Sequence, residues 1–486
     1  MTGLGSARAR LLVLVCCLAV LMVGLDSTAL NVALPAMQRQ LHTSVSGMQW
    51  VVDAYNLVVA ALILLTGSTG DRVGRRRVFM AGAALFAVGS TLCALASSLE
   101  CLVGFRVIQA LGGVMIAPAS LSLITHAFPD QAVRSRAIGI WSAAFGTGLA
   151  LGPIIGGALV ASAGWRSIFW INVPVAALAV VLSHRFVAES RAARARRADP
   201  VAQLLVIVLL GSVSYGVIEA PRNGWTSGLI VGCLAVAVAA LAALVVWERR
   251  RDEPLVETRF FRSVPFSGSV VVSLASFAAL GGFLFVNTLY LQDVRGMSAL
   301  AAGLWMLPMA AMTVVCAPLA GRLAGRSGPR VPVVLSGAAM ALSGLLLAVC
   351  HAESSGVALC VAYALFGASI GLVDVPATAL AVAGMPREQA GTASAITMSS
   401  CRIGVALGVA VFGSVLAEGL HRTTGHAARP MAGFLAAAQP IWWLVVGCGL
   451  VVGLLGVLVS GAWATSTARE AVTGLSRTPA LENAES

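Results

Sequence analysis

Two ionisable side chains lie inside long apolar stretches of this chain, and they are the residues best placed to do chemistry. Asp26 follows an apolar run that begins at Leu11, and Arg106 falls within the apolar stretch 101–125. Keeping a charge in hydrocarbon costs about 2.5–3.5 kcal/mol on insertion scales, so such groups face a cavity or a partner. Asp26 could instead be a neutral residue packed between helices, and Arg106 a structural residue near a helix end. If their charging is coupled to the movement of a cargo, the chemistry is proton binding and release.

Four further charged residues interrupt apolar stretches, and each could be functional or structural. Asp53 lies at most about 8 Å inside its stretch, at 1.5 Å per residue, and could carry a proton or attract a cation. Asp374 precedes Pro376 and could add a second carboxylate to a cavity, and Arg402 is the other basic residue within a stretch. Glu219 is close to the end of its stretch and could be interfacial.

The composition is that of a membrane protein. The chain has 486 residues, of which 58% are hydrophobic and 11% charged, with a mean hydropathy of +0.91. A soluble protein of this length would carry about 25% charged residues. So few charges cannot cover a water-exposed surface, and the apolar residues come in long blocks. The composition therefore predicts an all-α integral membrane protein.

Fourteen apolar blocks have roughly the 20 residues that a helix needs to cross a bilayer. They are 11–36, 48–68, 77–97, 101–125, 135–160, 166–187, 200–220, 228–248, 266–291, 299–322, 331–350, 356–383, 390–417 and 439–463. An even number places both termini on one side, and three quarters of the 32 basic residues, all Arg, fall in segments on that side. The positive-inside rule makes that side cytosolic. We therefore predict a multi-pass protein of the cell membrane with both termini in the cytosol, and topology explains the net charge of +12 better than nucleic-acid binding does.

Two long basic segments, 185–199 and 249–265, divide the chain and bracket the seventh and eighth blocks. Related sequences at 67–75 and 321–330 follow the second and tenth blocks, which suggests a repeat of six helices, as some transporters have. The predicted units are an N-terminal six-helix bundle, a central linker with helices 7 and 8, a C-terminal six-helix bundle and a disordered cytosolic tail, at 1–190, 191–262, 263–463 and 464–486.

Several kinds of functional site have no motif in the sequence. There is no GxxxxGK[ST] loop for ATP, no HExxH or GxSxG motif, and no TVGYG-type ion filter. The ten Cys show no CxxC or Cys/His spacing. We therefore expect neither an enzyme nor a channel, no metal site and no cofactor, and ATP is not the obvious energy source.

Four motifs resemble those of the major facilitator superfamily, and in particular its fourteen-helix drug:proton antiporter branch, which includes quaternary-ammonium and methylenomycin exporters. Three are LDSTALNVALP at 25–35, GSTGDRVGRRR at 67–77 and RVIQALGG at 106–113, with Thr69 and Ala110 departing from the family patterns. The fourth matches the antiporter pattern Gx8Gx3GPxxGG without exception and consists of Gly139, Gly148, Gly152, Pro153, Gly156 and Gly157. In the family this last motif marks exporters.

The resemblance implies a role for each motif. Asp26 and Arg106 would couple transport to protons, with Asp53 as the second carboxylate. The fourth motif would hold two halves of the molecule together. The predicted gating loop on the cytosolic side consists of Gly67, Gly70, Asp71, Arg72, Gly74 and Arg75. The candidate substrate-cavity residues are Asp53, Asn31, Gln109, Asp374 and Arg402.

The resulting expectation is a major facilitator fold of two six-helix bundles plus two extra helices. The protein would export drugs or antibiotics in exchange for protons by alternating access, and so confer resistance. Its partners would be a small-molecule substrate, protons and the lipid bilayer, and a monomer is expected. One alternative is a family member that moves a physiological solute, such as an amino acid, sugar or siderophore. A non-transporting sensor or enzyme would need a soluble domain or catalytic cluster, and the sequence contains neither.

Overall fold

The computed structural model describes residues 7–191, 199–251, 258–349, 356–383, 390–423 and 430–459, together with 461, 464, 466 and 467. Most of the predicted tail at 464–486 lies outside the described residues, as does part of the predicted central linker. Within these ranges the chain is helical and contains no strand.

Sixteen α-helices form in the described residues, joined by short connections. They are α1 (Ala7–Leu41), α2 (Val45–Val73), α3 (Arg75–Leu95), α4 (Leu99–Ala127), α5 (Gln131–Ala163), α6 (Ser167–Trp170), α7 (Asn172–Phe186), α8 (Pro200–Asn223), α9 (Gly228–Glu248), α10 (Val264–Leu289), α11 (Ala299–Trp305), α12 (Leu307–Ser327), α13 (Arg330–Val349), α14 (Gly356–Val382), α15 (Ala390–Thr423) and α16 (Pro430–Leu458). A 3₁₀ turn at Thr258–Arg262 precedes α10, and a π turn at Tyr290–Val294 continues it.

Fourteen segments of these helices are long and apolar enough to cross a membrane, in agreement with the sequence prediction. α6 and α7 together supply one of them, Ser167–Phe186, and α11 and α12 supply another, Ala299–Ser327. Polar caps begin several helices: Ser98 and Asp130 each accept a hydrogen bond from a backbone N–H in the first turn of α4 and α5. The predicted fold class, all-helical with fourteen membrane spans, is confirmed.

The spans pack into two groups. Helices α1–α7 pack largely against one another, and we call them the N-terminal bundle. Helices α10–α16 do the same and form the C-terminal bundle, whose core includes the stacked rings of Phe283 and Phe366, with centroids 4.0 Å apart. The residue limits of the predicted units stay predictions, but each bundle contains six spans.

Helices α8 and α9 pack against each other as a pair between the two bundles in sequence. Asp199 caps the start of α8, where its Oδ1 accepts hydrogen bonds from the N–H groups of Val201 and Ala202. Its Oδ2 accepts from Trp247 Nε1 at 3.0 Å and from Arg251 Nε at 3.2 Å. One carboxylate therefore joins the beginning of α8 to the end of α9.

The predicted gating loop is much shorter than its sequence motif. Helix α2 continues through Gly67 and Gly70 to Val73, and α3 begins at Arg75, so Gly74 alone separates the two helices. Gly74 has a φ of 121°, which side-chain-bearing residues rarely adopt. Helical hydrogen bonding therefore continues through the glycines at 67 and 70, and the motif's last glycine, Gly74, reverses the chain; the gating role of the motif stays a prediction.

The two bundles meet at the end of the molecule that carries Arg39. Arg39 Nη1 lies 3.2 Å from Asp293 Oδ1, and Gln292 Nε2 donates a hydrogen bond of 2.8 Å to the Val32 carbonyl. Both contacts join α1 to the π turn after α10. The bundles are therefore in contact at this end of the molecule.

Candidate functional site

Asp26 lies near the middle of α1 and is only 3% exposed. The Nη1 atom of Arg106, on α4, lies 2.9 Å from Oδ2 of Asp26. Its Oδ1 accepts hydrogen bonds from Gln109 Nε2 at 2.9 Å and from Asn172 Nδ2 of α7 at 2.8 Å. The carboxylate thus has a charged partner and two amide donors, which is the arrangement that makes a buried charge tolerable.

Arg106 is 1% exposed and uses several of its donors. Besides Asp26, its Nη1 donates to Gln109 Oε1 at 2.6 Å, and its Nε donates to the Val51 carbonyl at 3.2 Å. Its guanidinium carbon lies 4.5 Å from the centroid of the Tyr55 ring, within the range of a cation–π contact. Since Val51 and Tyr55 belong to α2, the guanidinium connects three helices of the N-terminal bundle.

Two polar residues that the sequence analysis assigned no role complete this network. Ser90 Oγ of α3 accepts from Gln109 Nε2 at 2.8 Å and from Asn172 Nδ2 at 3.4 Å. Ser90 and Asn172 are uncharged polar residues within apolar stretches, which is a weak signal in the sequence. Because both are involved, the site draws on α1, α2, α3, α4 and α7.

Asp53 differs from Asp26 in having no hydrogen-bond partner within the described part of the chain. It is fully buried in α2, and neither carboxyl oxygen has a hydrogen-bond partner among the described residues. Gln49, one turn earlier on the same side of α2, donates to the carbonyls of Val409 and Ala410 on α15, at 3.0 and 2.8 Å. Asp53 therefore lies on the side of α2 that approaches the C-terminal bundle.

Asp374 and Arg402 are both accessible, in contrast to the network around Asp26. Asp374 is exposed in α14, as is Val375 next to it, whereas Val373 and Pro376 are buried. Arg402 of α15 is partly exposed, and its guanidinium carbon lies 5.6 Å from the centroid of the Phe145 ring on α5. Arg402 thereby lies where the two bundles face each other.

The remaining cavity candidates are buried. Gln109 is 0% exposed and belongs to the Asp26 network, while Asn31 is 4% exposed and donates to the Ser27 carbonyl within α1 at 3.4 Å. Of the five predicted cavity residues, the structure leaves Asp374 and Arg402 accessible and encloses the other three. Their roles towards a substrate stay predictions.

The glycines of the fourth motif bring α5 close to two helices. A Cβ added to Gly148 would meet the Leu21 carbonyl of α1, and one added to Gly156 would lie 2.8 Å from Ala29 Cβ. On another side of α5, Gly157 packs against the Ala299 backbone at the start of α11. These contacts allow backbone-to-backbone packing both within the N-terminal bundle and across to the C-terminal one.

The start of α3 is held by Glu189, which the sequence analysis did not single out. Its Oε1 accepts from the Arg76 N–H at 3.0 Å, and a Cβ on Gly74 would lie 2.7 Å from that oxygen. The Arg75 N–H donates to the Ser190 carbonyl at 3.0 Å. The side chain of Asp71 lies outside the described residues. The segment after α7 therefore fixes the reversal between α2 and α3.

Comparison with known proteins identifies the family. The family model described as Major Facilitator Superfamily matches residues 16–409. The chain belongs to the major facilitator superfamily. As a fold comparison, a crystal structure of a D-xylose-proton symporter superposes with a TM-score of 0.67 at 15% identity, covering 93% of this chain and 98% of the other.

The relatives of this chain are resistance and export proteins of the superfamily, as its motifs predicted. It is 40% identical over 417 residues to the multidrug resistance protein Stp of Mycobacterium tuberculosis, which covers 86% of this chain and 78% of the relative. It is 35% identical over 397 residues to the methylenomycin A resistance protein of Streptomyces coelicolor, covering 81% and 83%. The predicted resemblance is confirmed. As a member of this superfamily the protein is a transporter. The described residues contain no group of three His, Cys, Asp or Glu that could hold a metal ion.

Proposed function

We propose that this transporter exports drugs, antibiotics or similar small molecules across the cytoplasmic membrane in exchange for protons. The names of its relatives support the cargo, and the buried pair of Asp26 and Arg106 supports the coupling. Burying a carboxylate in the middle of a membrane helix costs free energy. Its presence there indicates a function, and the function we propose is a change of charge during the transport cycle. The pair is the observation on which the proposal depends.

Proton binding at Asp26 would act on packing through Arg106. A neutral Asp26 no longer offers a full countercharge, so the guanidinium would rely on Gln109, the Val51 carbonyl and the Tyr55 ring. The link from α1 to α4 would weaken while the link from α4 to α2 remained. A change in protonation would thus shift how α1 packs in the N-terminal bundle, and α1 carries contacts to the C-terminal bundle at its outer end.

Alternating access would follow from forming and breaking the contacts between the two bundles at opposite ends of the molecule. With the contacts between Arg39 and Asp293 formed at the predicted outer end, a central cavity would face the cytosol, where the positive-inside rule places both termini. Release of these contacts would expose the cavity to the outside. Gly74, Arg72 and Arg75, with Asp71, would form the inner latch, and Glu189 would hold it in position. A monomer suffices for this cycle.

The proton gradient supplies enough energy for resistance. One pH unit is worth about 1.4 kcal/mol per proton. A membrane potential of 100 mV adds about 2.3 kcal/mol for each net charge moved. Together these sustain a substrate gradient of a few hundredfold. An exchange of one proton for a monovalent cation is electroneutral and would lose the second contribution.

Asp53 would be the second carboxylate of the cycle, where it binds either a proton or a cationic group of the substrate. We expect Asp53→Asn to reduce export of lipophilic cations by at least about tenfold, equivalent to about 1.4 kcal/mol. Because the Asp53 oxygens have no hydrogen-bond partner among the described residues, the isosteric amide removes no visible contact, and thermal stability should be unchanged. Initial rates of dye export at equal protein amounts measure this. Export of cations at the parental rate would exclude Asp53 from the cycle.

The proposed function is tested in everted membrane vesicles whose interior is acidified by respiration. A panel of antibiotics and dyes is added while a pH-sensitive fluorophore reports the gradient. A transported compound should enter the vesicles and drive protons out, which partly dissipates the gradient. Vesicles from cells with an empty vector are the control. Uptake that continues at the same rate after ionophores have collapsed both the pH difference and the voltage would mean facilitated diffusion and would refute antiport.

A further inference from the structure

Arg402 is a second arginine inside a membrane span, and unlike Arg106 it has no countercharge in contact. In the part of the chain that the structure describes, Arg402 makes no hydrogen bond and no ion pair, including none with the accessible carboxyl group of Asp374. Arg106 by comparison contacts Asp26 and two further acceptors. An arginine stays charged in proteins and carries five N–H donors. Arg402 therefore brings a full charge and unused donors into the span.

The position of Arg402 along α15 is far from both ends of its span. Eleven residues of the span Gly391–Arg422 precede it and twenty follow it. At 1.5 Å per residue these are about 17 and 30 Å of helix. A charged residue within a membrane span normally faces a partner or a water-filled cavity, and it marks a path for substrate or ions. Since Arg402 pairs with none of the described residues, its position favours a cavity.

Arg402 lies on the side of α15 that faces the N-terminal bundle. Val409 and Gly413 follow it by seven and eleven residues, so at about 100° per residue all three point within about 20° of one direction. A Cβ on Gly413 would meet the Gln49 side chain of α2, which also donates to the Val409 carbonyl at 3.0 Å. At Arg402 the facing group is the Phe145 ring of α5, 5.6 Å from the guanidinium carbon. The guanidinium therefore projects between the bundles.

This side of α15 is open around Arg402 and closed further along the helix. Val409 is 1% exposed, whereas Met398, one turn before Arg402 on the same side, is 40% exposed. Arg402 and Phe145 are both partly exposed. A charged donor group and an aromatic ring, supplied by different bundles, are thus accessible at one place.

Tyr55 of α2 connects this place to the proposed proton site. Its ring centroid lies 4.5 Å from the guanidinium carbon of Arg106, and its side chain is within electrostatic range of Arg402 and Asp26. Its hydroxyl group is buried and has no hydrogen-bond partner among the described residues. A negative charge bound at Arg402 would therefore act on the surroundings of the Asp26–Arg106 pair.

We propose that Arg402 and Phe145 form a substrate site for organic anions with an apolar, aromatic body. The guanidinium would bind a carboxylate, whose two oxygens match its planar arrangement of N–H donors, and the Phe145 ring would pack against the body. The anion would supply the countercharge that Arg402 lacks. The inference rests on the proposed export function and adds a class of substrate to it. Cationic groups would be repelled here and would depend on Asp53 or Asp374.

The site is tested with two ligands that differ in one group: a rhodamine dye with a free carboxylate, and the methyl ester of the same dye. Fluorescence anisotropy on purified protein in detergent gives the Kd of each. The parent should bind the acid at least about tenfold more tightly than the ester, because hydrogen bonds to charged groups contribute at least that much. Arg402→Gln should remove this preference and change the Kd of the ester by less than about twofold.

Three further variants control for indirect effects. Arg402→Lys keeps the charge but not the planar donors, so it should retain part of the preference for the acid. Phe145→Leu should weaken binding of both dyes by a similar factor, since both share the aromatic body. Arg422→Gln, the same substitution at the exposed end of α15, should leave both Kd values unchanged.

The outcomes separate the site from the function. A parent that binds the two dyes equally, or binds neither, refutes the site, and this result needs no variant to fold. A preference for the acid that persists in Arg402→Gln also refutes it, because the carboxylate is then bound elsewhere. Export is measured independently in everted vesicles. If the parent prefers the acid but exports neither dye nor any other compound, the site stands and the proposed function fails.

Discussion

Asp26→Asn should abolish proton-driven export while the protein still reaches the membrane. The amide keeps the shape of the carboxyl group but cannot bind and release a proton. It also leaves the Arg106 guanidinium, which is 1% exposed, without a countercharge. Removing one partner of a buried ion pair costs about 3–5 kcal/mol, so thermal stability should fall as well. Gradient dissipation in vesicles and thermal unfolding in detergent measure the two effects separately.

A second substitution separates loss of coupling from loss of stability. In the double variant Asp26→Asn, Arg106→Gln, both charges are gone and no guanidinium is left unpaired. Stability should therefore recover in part, since the uncompensated buried charge is gone while the guanidinium contacts with the Val51 carbonyl and the Tyr55 ring are lost. Export driven by the proton gradient should remain absent. Full antiport by either variant would remove Asp26 from the mechanism.

The fold was predictable because each membrane span carries its own signal. A block of apolar residues has to cross the bilayer wherever it lies in the chain, so the fourteen spans could be counted without any knowledge of their packing. The pairing of Asp26 with Arg106 was nearly as accessible. A buried carboxylate needs a cation nearby and a buried guanidinium needs an anion. Few other ionisable residues lie within apolar stretches, so Asp26 and Arg106 are natural partners for each other.

Other parts of the site were not predictable because their contacts are distant and their residues are common. Asn172 is 146 positions from Asp26, and an amide in an apolar stretch has many possible partners. Glu189 lies in a polar segment where an acidic residue is unremarkable, and its contact with Arg76 spans 113 positions. Helix α2 continues five residues beyond the apolar block that ends at 68, because Gly67 and Gly70 permit a turn but do not force one.

The glycines of α5 should respond very differently to the same small change. Gly148→Ala adds a methyl group that meets the Leu21 carbonyl, and two neighbouring helix backbones cannot move apart without losing other contacts. Overpacking of this kind costs about 1–3 kcal/mol and sometimes more. Gly139→Ala adds the same methyl group where nothing lies within 4 Å, and it gains up to about 1 kcal/mol of helix propensity. Thermal unfolding of the two variants in detergent gives the comparison.

The contrast follows from what each glycine faces, so it also tests how the motif is used. If both variants lost stability equally, the motif would be a uniform packing surface and the inner part of α5 would be covered. If Gly148→Ala were neutral, the close approach of α1 and α5 would be absent. The expected difference implies that one glycine spacing serves two purposes: tight packing holds the part of α5 from Gly148 to Gly157 in place, and Gly139 leaves the first part of the helix without close neighbours.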